Sequence, residues 1–271
     1  TKKYDIAARL AGLRWGTTAK LSSLLADFLS IPDEFLPKAG QGVSSTCFVE
    51  PFFPPGDLFD YQSDVAEQLK AQFVSETDWA SLVQLPTGSG KTRTVIEAIV
   101  SFLTGEGRGL SSRGSVLWLA HTEELCEQAV ESFSRIWQAR GDQGRNIFRF
   151  WGSFKKPSES LRNSFIVGGY QKTANACERD DEVFKDLKKQ VRMVVVDEGH
   201  KALAPTIREV VESFKAVPGI DVVGLSATPG RGSDSTGENR ELASLFDDRL
   251  LTSDLLGEDP ITFLRERGIL S

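Results

Sequence analysis

The sequence predicts an α/β fold: a mostly parallel sheet with helices on both faces, preceded by a small helical N-terminal segment. Three observations point there. Beyond Tyr61, short apolar runs alternate with longer amphipathic segments. The runs "SLVQL", "SVLWLA", "NIFRF", "SFIVG", "RMVVVD" and "DVVGL" are rich in Val, Ile, Leu and Phe and carry few charges, as strands buried on both faces do. Polar and glycine-bearing stretches follow several of the runs, at the carboxyl ends of strands where open α/β sheets bind their ligands.

Residues 1–40 read as a helical accessory segment. In "TAKLSSLLADFLS", Leu21, Leu24, Leu25, Phe28 and Leu29 recur at i, i+3, i+4, i+7 and i+8, so one face of that helix must be covered. The small-residue turn in "AARLAGLRWGTTAKLSSLL" is loosely like a helix-turn-helix DNA reader. "LRWG" offers little beyond Arg14 to read a base, so an accessory helical layer is preferred. Residues 41–56 form a connector within a Gly- and Pro-rich stretch that leaves room for at most a short strand near Thr46 to Val49. Residues 57–271 make the main domain, beginning with helical periodicity to about Val74. "LTGEGRGLSSRG" and "GRGSDSTGEN" read as loops. A last helix starts near Asp259, with Pro260 in its first turn and Gly268 closing it.

With 271 residues the chain can bury a full core. No apolar run approaches the roughly 18 residues of a membrane span, and no charged-then-apolar signal opens the sequence, so a cytoplasmic protein with no membrane partner is expected. Cys47, Cys126 and Cys177 are widely spaced, and only two histidines are present, which disfavours a disulfide frame and a zinc site. The net charge of −6 argues against a basic nucleic-acid glove. It leaves open a site in which backbone N–H groups and helix N-termini hold phosphates.

"QLPTGSGKT" follows one apolar run and precedes the helical pattern "TRTVIEAIVSFL", the strand, loop and helix order of a phosphate-binding loop. Thr87, Gly88, Ser89 and Gly90 would curl the backbone so that its N–H groups face phosphates. Lys91 would supply charge at the β and γ phosphates, and the Thr92 hydroxyl would be a magnesium ligand. The general pattern wants a glycine where Leu85 stands. In "RMVVVDEGH" a buried run ends in two adjacent carboxylates, suited to metal-assisted hydrolysis of a phosphoanhydride. Asp197 would hold Mg2+ through water, and Glu198 would orient and deprotonate the attacking water.

These motifs together resemble the first RecA-like domain of superfamily 2 helicases and translocases of the DExH type, over about residues 57–271. In that superfamily the phosphate loop commonly reads P-T-G-S-G-K-T without the leading glycine, so Leu85 is a mark of subclass. The resemblance implies ATP and Mg2+ as cofactors and several further roles. "GLSATPGR" resembles the S-A-T motif, in which Ser226 and Thr228 would couple the acidic motif to movement, with His200 as partner. "LFDYQ" resembles the adenine-recognising Q motif: Gln62 would bond the adenine edge, and Phe59 would either stack on adenine or pack in the core. "WLAHTEELCEQA" is similar to a motif of restriction-enzyme motor subunits that contacts a nucleic-acid phosphate, here through His121 and Thr122, with Thr122 replacing the common arginine. For His121 the other reading is a satisfied polar residue at a helix start. "VGGYQKT" resembles the strand-binding V-G-T-Y-Q, carried by Gly169 and Gln171, with Gly169 in place of the hydroxyl residue.

The function implied is the ATP-binding lobe of an ATP-dependent helicase or translocase, with DNA favoured as the track over RNA. The facing domain's Q-x-x-G-R-x-x-R motif is not found before Ser271, so a second RecA-like domain is an expected partner and hydrolysis by this lobe alone is expected to be weak. The alternative is a nucleotide-dependent, nucleic-acid-sensing switch that recruits a nuclease or other effector. A metabolic kinase is disfavoured, since it would not need the S-A-T and strand-contact motifs in this order.

Overall fold

The run Ser115–Ala120 is buried along its whole length, and its side chains alternate between two cores. Val116, Trp118 and Ala120 join one, Leu117 and Leu119 the other, the period-2 signature of a strand covered on both faces. The computed structural model describes residues 45–49, 56–75, 78–105, 114–155, 160–227 and 236–270. The expectations for residues 1–40, for most of the connector, for Thr228 and for most of both loops lie outside these.

Among the described residues eight strands make the sheet: β1 Thr46–Val49, β2 Ala80–Gln84, β3 Ser115–Ala120, β4 Arg145–Phe150, β5 Phe165–Gly169, β6 Val191–Val196, β7 Asp221–Ser226 and β8 Leu250–Leu251, in the spatial order β1-β4-β5-β3-β6-β7-β2-β8. Strand β1 runs antiparallel to β4, and the other neighbours pair parallel. The carboxyl ends from β4 to β8 therefore share one edge.

The helices are α1 Asp60–Ser75, α2 Lys91–Thr104, α3 Glu123–Arg140, α4 Tyr170–Glu178, α5 Glu182–Gln190, α6 Pro205–Lys215, α7 Thr236–Leu245 and α8 Pro260–Glu266. Buried residues of α1, α2 and α3, such as Leu69, Ile99 and Phe133, fill one core. Those of α4 to α7, such as Ala174, Phe184, Phe214 and Leu242, fill the other. Capping follows local chemistry: the Asp181 carboxylate accepts from Phe184 N at 2.9 Å, and Asp259 accepts from Thr262 N at 3.2 Å beside Pro260. Two features escape the sequence pattern. Strand β8 is too short to show a period, and the crossover from β5 to β6 holds two helices. Among the described residues the cysteines are free, and no helix is long and apolar enough to cross a membrane.

Candidate active site

The phosphate loop bridges β2 and α2. Leu85, where a leading glycine was absent, is buried in the core, and its N–H donates to Ser226 O at 3.2 Å. The position is thus filled inward, which explains why the loop does not need glycine there. Ser89 is buried, its hydroxyl donating to Pro86 O at 2.6 Å, and the Lys91 ammonium reaches the same carbonyl at 3.4 Å. Gly90 sits at φ 86°, a left-handed conformation open to glycine, and a side chain there would run into the Gln62 amide. Thr87 and Gly88 are exposed at the loop tip, Thr92 is half-buried in the first turn of α2, and the side chain of Leu270 packs against Gly88.

The acidic motif leaves the end of β6. Asp197 is 7% exposed, and burial pushes its carboxyl up to about 6. The Glu198 N–H, donating at 2.9 Å to Oδ1, pulls the other way, Glu198's charge adds to the rise, and Lys91 and the Trp118 indole N–H offset it. That indole makes no hydrogen bond of normal geometry among the described residues, so its pull is weak. Burial likewise lowers the Lys91 ammonium, with Glu198 and Asp197 holding it up. The three side chains thus form one electrostatic unit. The Asp197 carboxylate and the Thr92 hydroxyl are hard oxygen donors, the chemistry that suits a magnesium ion. Glu198 adopts φ 53° and ψ 55°, a left-handed backbone that costs a non-glycine residue roughly 1–2 kcal/mol, and its carboxylate lies 3.4 Å from His200 Nδ1.

The Q-motif residues reach the loop from the start of α1. Gln62 Nε2 donates to Ser89 O at 2.7 Å, joined there by the Tyr61 hydroxyl at 2.8 Å. Gln62 Oε1 accepts from Phe59 N at 3.0 Å. The Gln62 side chain is buried, so these bonds fix its amide against the loop. Phe59 is 48% exposed and stacked on the Tyr61 ring at 6.0 Å, so of its two readings core packing does not hold.

Ser226 ends β7 beside Gln84 of β2, buried, with its carbonyl taken by Leu85. The other predicted contacts lie at the ends of β3 and β5. Thr122 caps α3, its hydroxyl accepting from Leu125 N at 3.2 Å. His121 is exposed, and its imidazole is hydrogen-bonded to the Lys201 ammonium. Burial and the Lys201 charge both hold His121 below its ordinary pKa, against Glu198 and Glu124. The cation at this strand end is therefore Lys201, which the sequence reading missed. Gly169 ends β5, and a Cβ there would stand 2.8 Å from Trp151 Cβ. Trp151 occupies the space a threonine would need, which accounts for the departure from V-G-T-Y-Q. Gln171 is exposed and donates to Asn175 at 2.9 Å along α4.

Tyr170 was also overlooked. Its hydroxyl donates to the main-chain oxygen of Asp197. A buried aromatic at a helix start reads locally as packing, and only the fold brings it to the acidic strand.

The comparisons with known proteins agree with this geometry. The family model for the type III restriction enzyme res subunit matches residues 56–231, more than half of the chain. No curated protein matches by sequence. Among solved structures, the Hef helicase domain of Pyrococcus furiosus is similar with a TM-score of 0.51 and 23% identity, covering 69% of this chain and 36% of that one. The UvsW helicase of bacteriophage T4 gives a TM-score of 0.51 at 16% identity, covering 75% and 62%. The chain thus spans less than two thirds of either structure. At these identities the likeness is one of fold.

Proposed function

Since the chain belongs to the type III restriction enzyme res subunit family and carries the RecA-like, ATP-binding domain of superfamily 2 helicases, we propose that it is the ATPase lobe of a nucleic-acid motor whose track is DNA. One observation carries this reading. Along a single sheet edge, in the order β2, β7, β6, β3 and β5, stand the phosphate loop, Ser226, the carboxylates Asp197 and Glu198, His121 with Thr122, and Gly169. With neighbouring strands about 4.8 Å apart, the acidic strand lies two steps, roughly 10 Å, from the phosphate-loop strand and one to two steps, roughly 5–10 Å, from the strands assigned to the polymer.

The loop N–H groups and Lys91 would hold the ATP phosphates, Phe59 would offer its exposed ring to the adenine, and Gln62 would meet the adenine edge beside it. Thr92 and Asp197 would hold Mg2+, which when bound neutralises charge developing on the phosphates. Glu198, fixed by its left-handed backbone, would take the proton of the attacking water. The polymer backbone would be met by main-chain N–H groups at the ends of β3 and β5 and by Lys201. A second RecA-like lobe would supply the arginine that faces the cleft.

The test is steady-state ATP hydrolysis by the full-length native protein with duplex DNA, single-stranded DNA, duplex RNA or no polymer. Stimulation by DNA supports the motor reading and its track. Bound ATP with no stimulation by any polymer would contradict it and favour a nucleotide switch.

A further inference from the structure

We infer that Tyr170 is a positioning residue through which polymer contact at the end of β5 sets the backbone of the catalytic pair Asp197–Glu198. This rests on the motor reading above. Asp197 is held at both of its flanking peptide groups: its N–H donates to Leu119 O at 2.9 Å, and its carbonyl accepts from the Tyr170 hydroxyl. Leu119 lies two residues before His121, and Tyr170 directly follows Gly169. Both anchors are thus continuous with the strand ends assigned to the polymer.

The 197–198 peptide, whose carbonyl Tyr170 grips, leads straight into Glu198, whose φ of 53° lies in a narrow allowed region. Rotation of the 197–198 peptide therefore moves the Glu198 carboxylate directly, with little slack to absorb it. On the far side, Glu198 O accepts from Lys201 N at 2.7 Å, and the Lys201 ammonium is bonded to His121. The acidic turn is thus tied to both polymer-side strand ends. Tyr170 is 7% exposed and belongs to the second core. Phenylalanine would keep this packing and delete only the hydroxyl.

The experiment compares the full-length protein with its Tyr170→Phe variant, each with and without the polymer that stimulates the wild type. The expected result is a stimulated kcat lower by about tenfold, within the usual range for coupling between sites, while the KM for ATP and the affinity for polymer stay within about twofold. A stimulated kcat matching the wild type overturns the inference alone, as does loss of ATP binding, which would make Tyr170 a folding residue. A wild-type protein that no polymer stimulates overturns the motor reading and this inference with it.

Discussion

Gln62 Nε2 lies 2.7 Å from the carbonyl oxygen of Ser89, so the start of α1 and the phosphate loop are braced as one unit. Gln62→Glu replaces that donor with a charged acceptor facing a carbonyl. ATP affinity should fall by about tenfold or more, the cost of a buried polar contact turned repulsive. Nucleotide titration checks this, and an unchanged affinity would mean the brace does not shape the loop.

Asp197 gives the site a pH signature. Its folded carboxyl titrates near 6 against an ordinary 3.8, so the proton is held more tightly in the folded state. The associated stability is fully present below the ordinary value and is lost as pH rises through about 6. The difference is worth on the order of 3 kcal/mol. Thermal melts should therefore show Asp197→Asn more stable than wild type at neutral pH and lacking the loss between these pH values. Binding of Mg2+ with nucleotide, which requires the carboxylate, should weaken below about pH 6 in the wild type.

The left-handed backbone of Glu198 predicts a separation of stability from activity. Glu198→Gly should relieve strain and leave stability equal or higher by about 0.5–1 kcal/mol, while ending turnover. Denaturant unfolding read beside hydrolysis checks it. A clear destabilisation would show that the Glu198 side chain holds the turn together.

Restoring the family residue at position 169 should fail for lack of space. With Trp151 Cβ 2.8 Å from a Cβ at Gly169, Gly169→Thr should cost roughly 1–3 kcal/mol. In a double-mutant cycle with Trp151→Gly, which removes that Cβ, the double variant should lose less than the sum of the two single losses by about 1 kcal/mol or more. Strict additivity would place the clash elsewhere.

Much of this site is legible in the sequence because its chemistry depends on residue type at short spacing. Gly88, Gly90, Lys91 and Thr92 sit within one turn of chain, and Asp197 and Glu198 are adjacent at the end of an apolar run. The strands are legible for the same reason, since burial on both faces leaves unbroken Val and Leu runs. What escapes is long-range. Tyr170 meets Asp197 across 27 residues and Lys201 meets His121 across 80, and such pairs leave no local period. The two-residue strand Leu250–Leu251 exists only because β2 offers it an edge. Gly169 reads in the sequence only as a replacement of the hydroxyl residue, and only the fold shows Trp151 filling the space.

The central claim is a division of labour between the loop and the acidic pair, and paired nucleotide-binding and turnover measurements on Lys91→Ala and Glu198→Gln test it most directly. Lys91→Ala should lose tight ATP binding. Glu198→Gln should bind ATP within about threefold of wild type and lose turnover by about a hundredfold or more, as expected when a group acts only in the chemical step. Equal loss of binding in both variants would contradict the role given to Glu198.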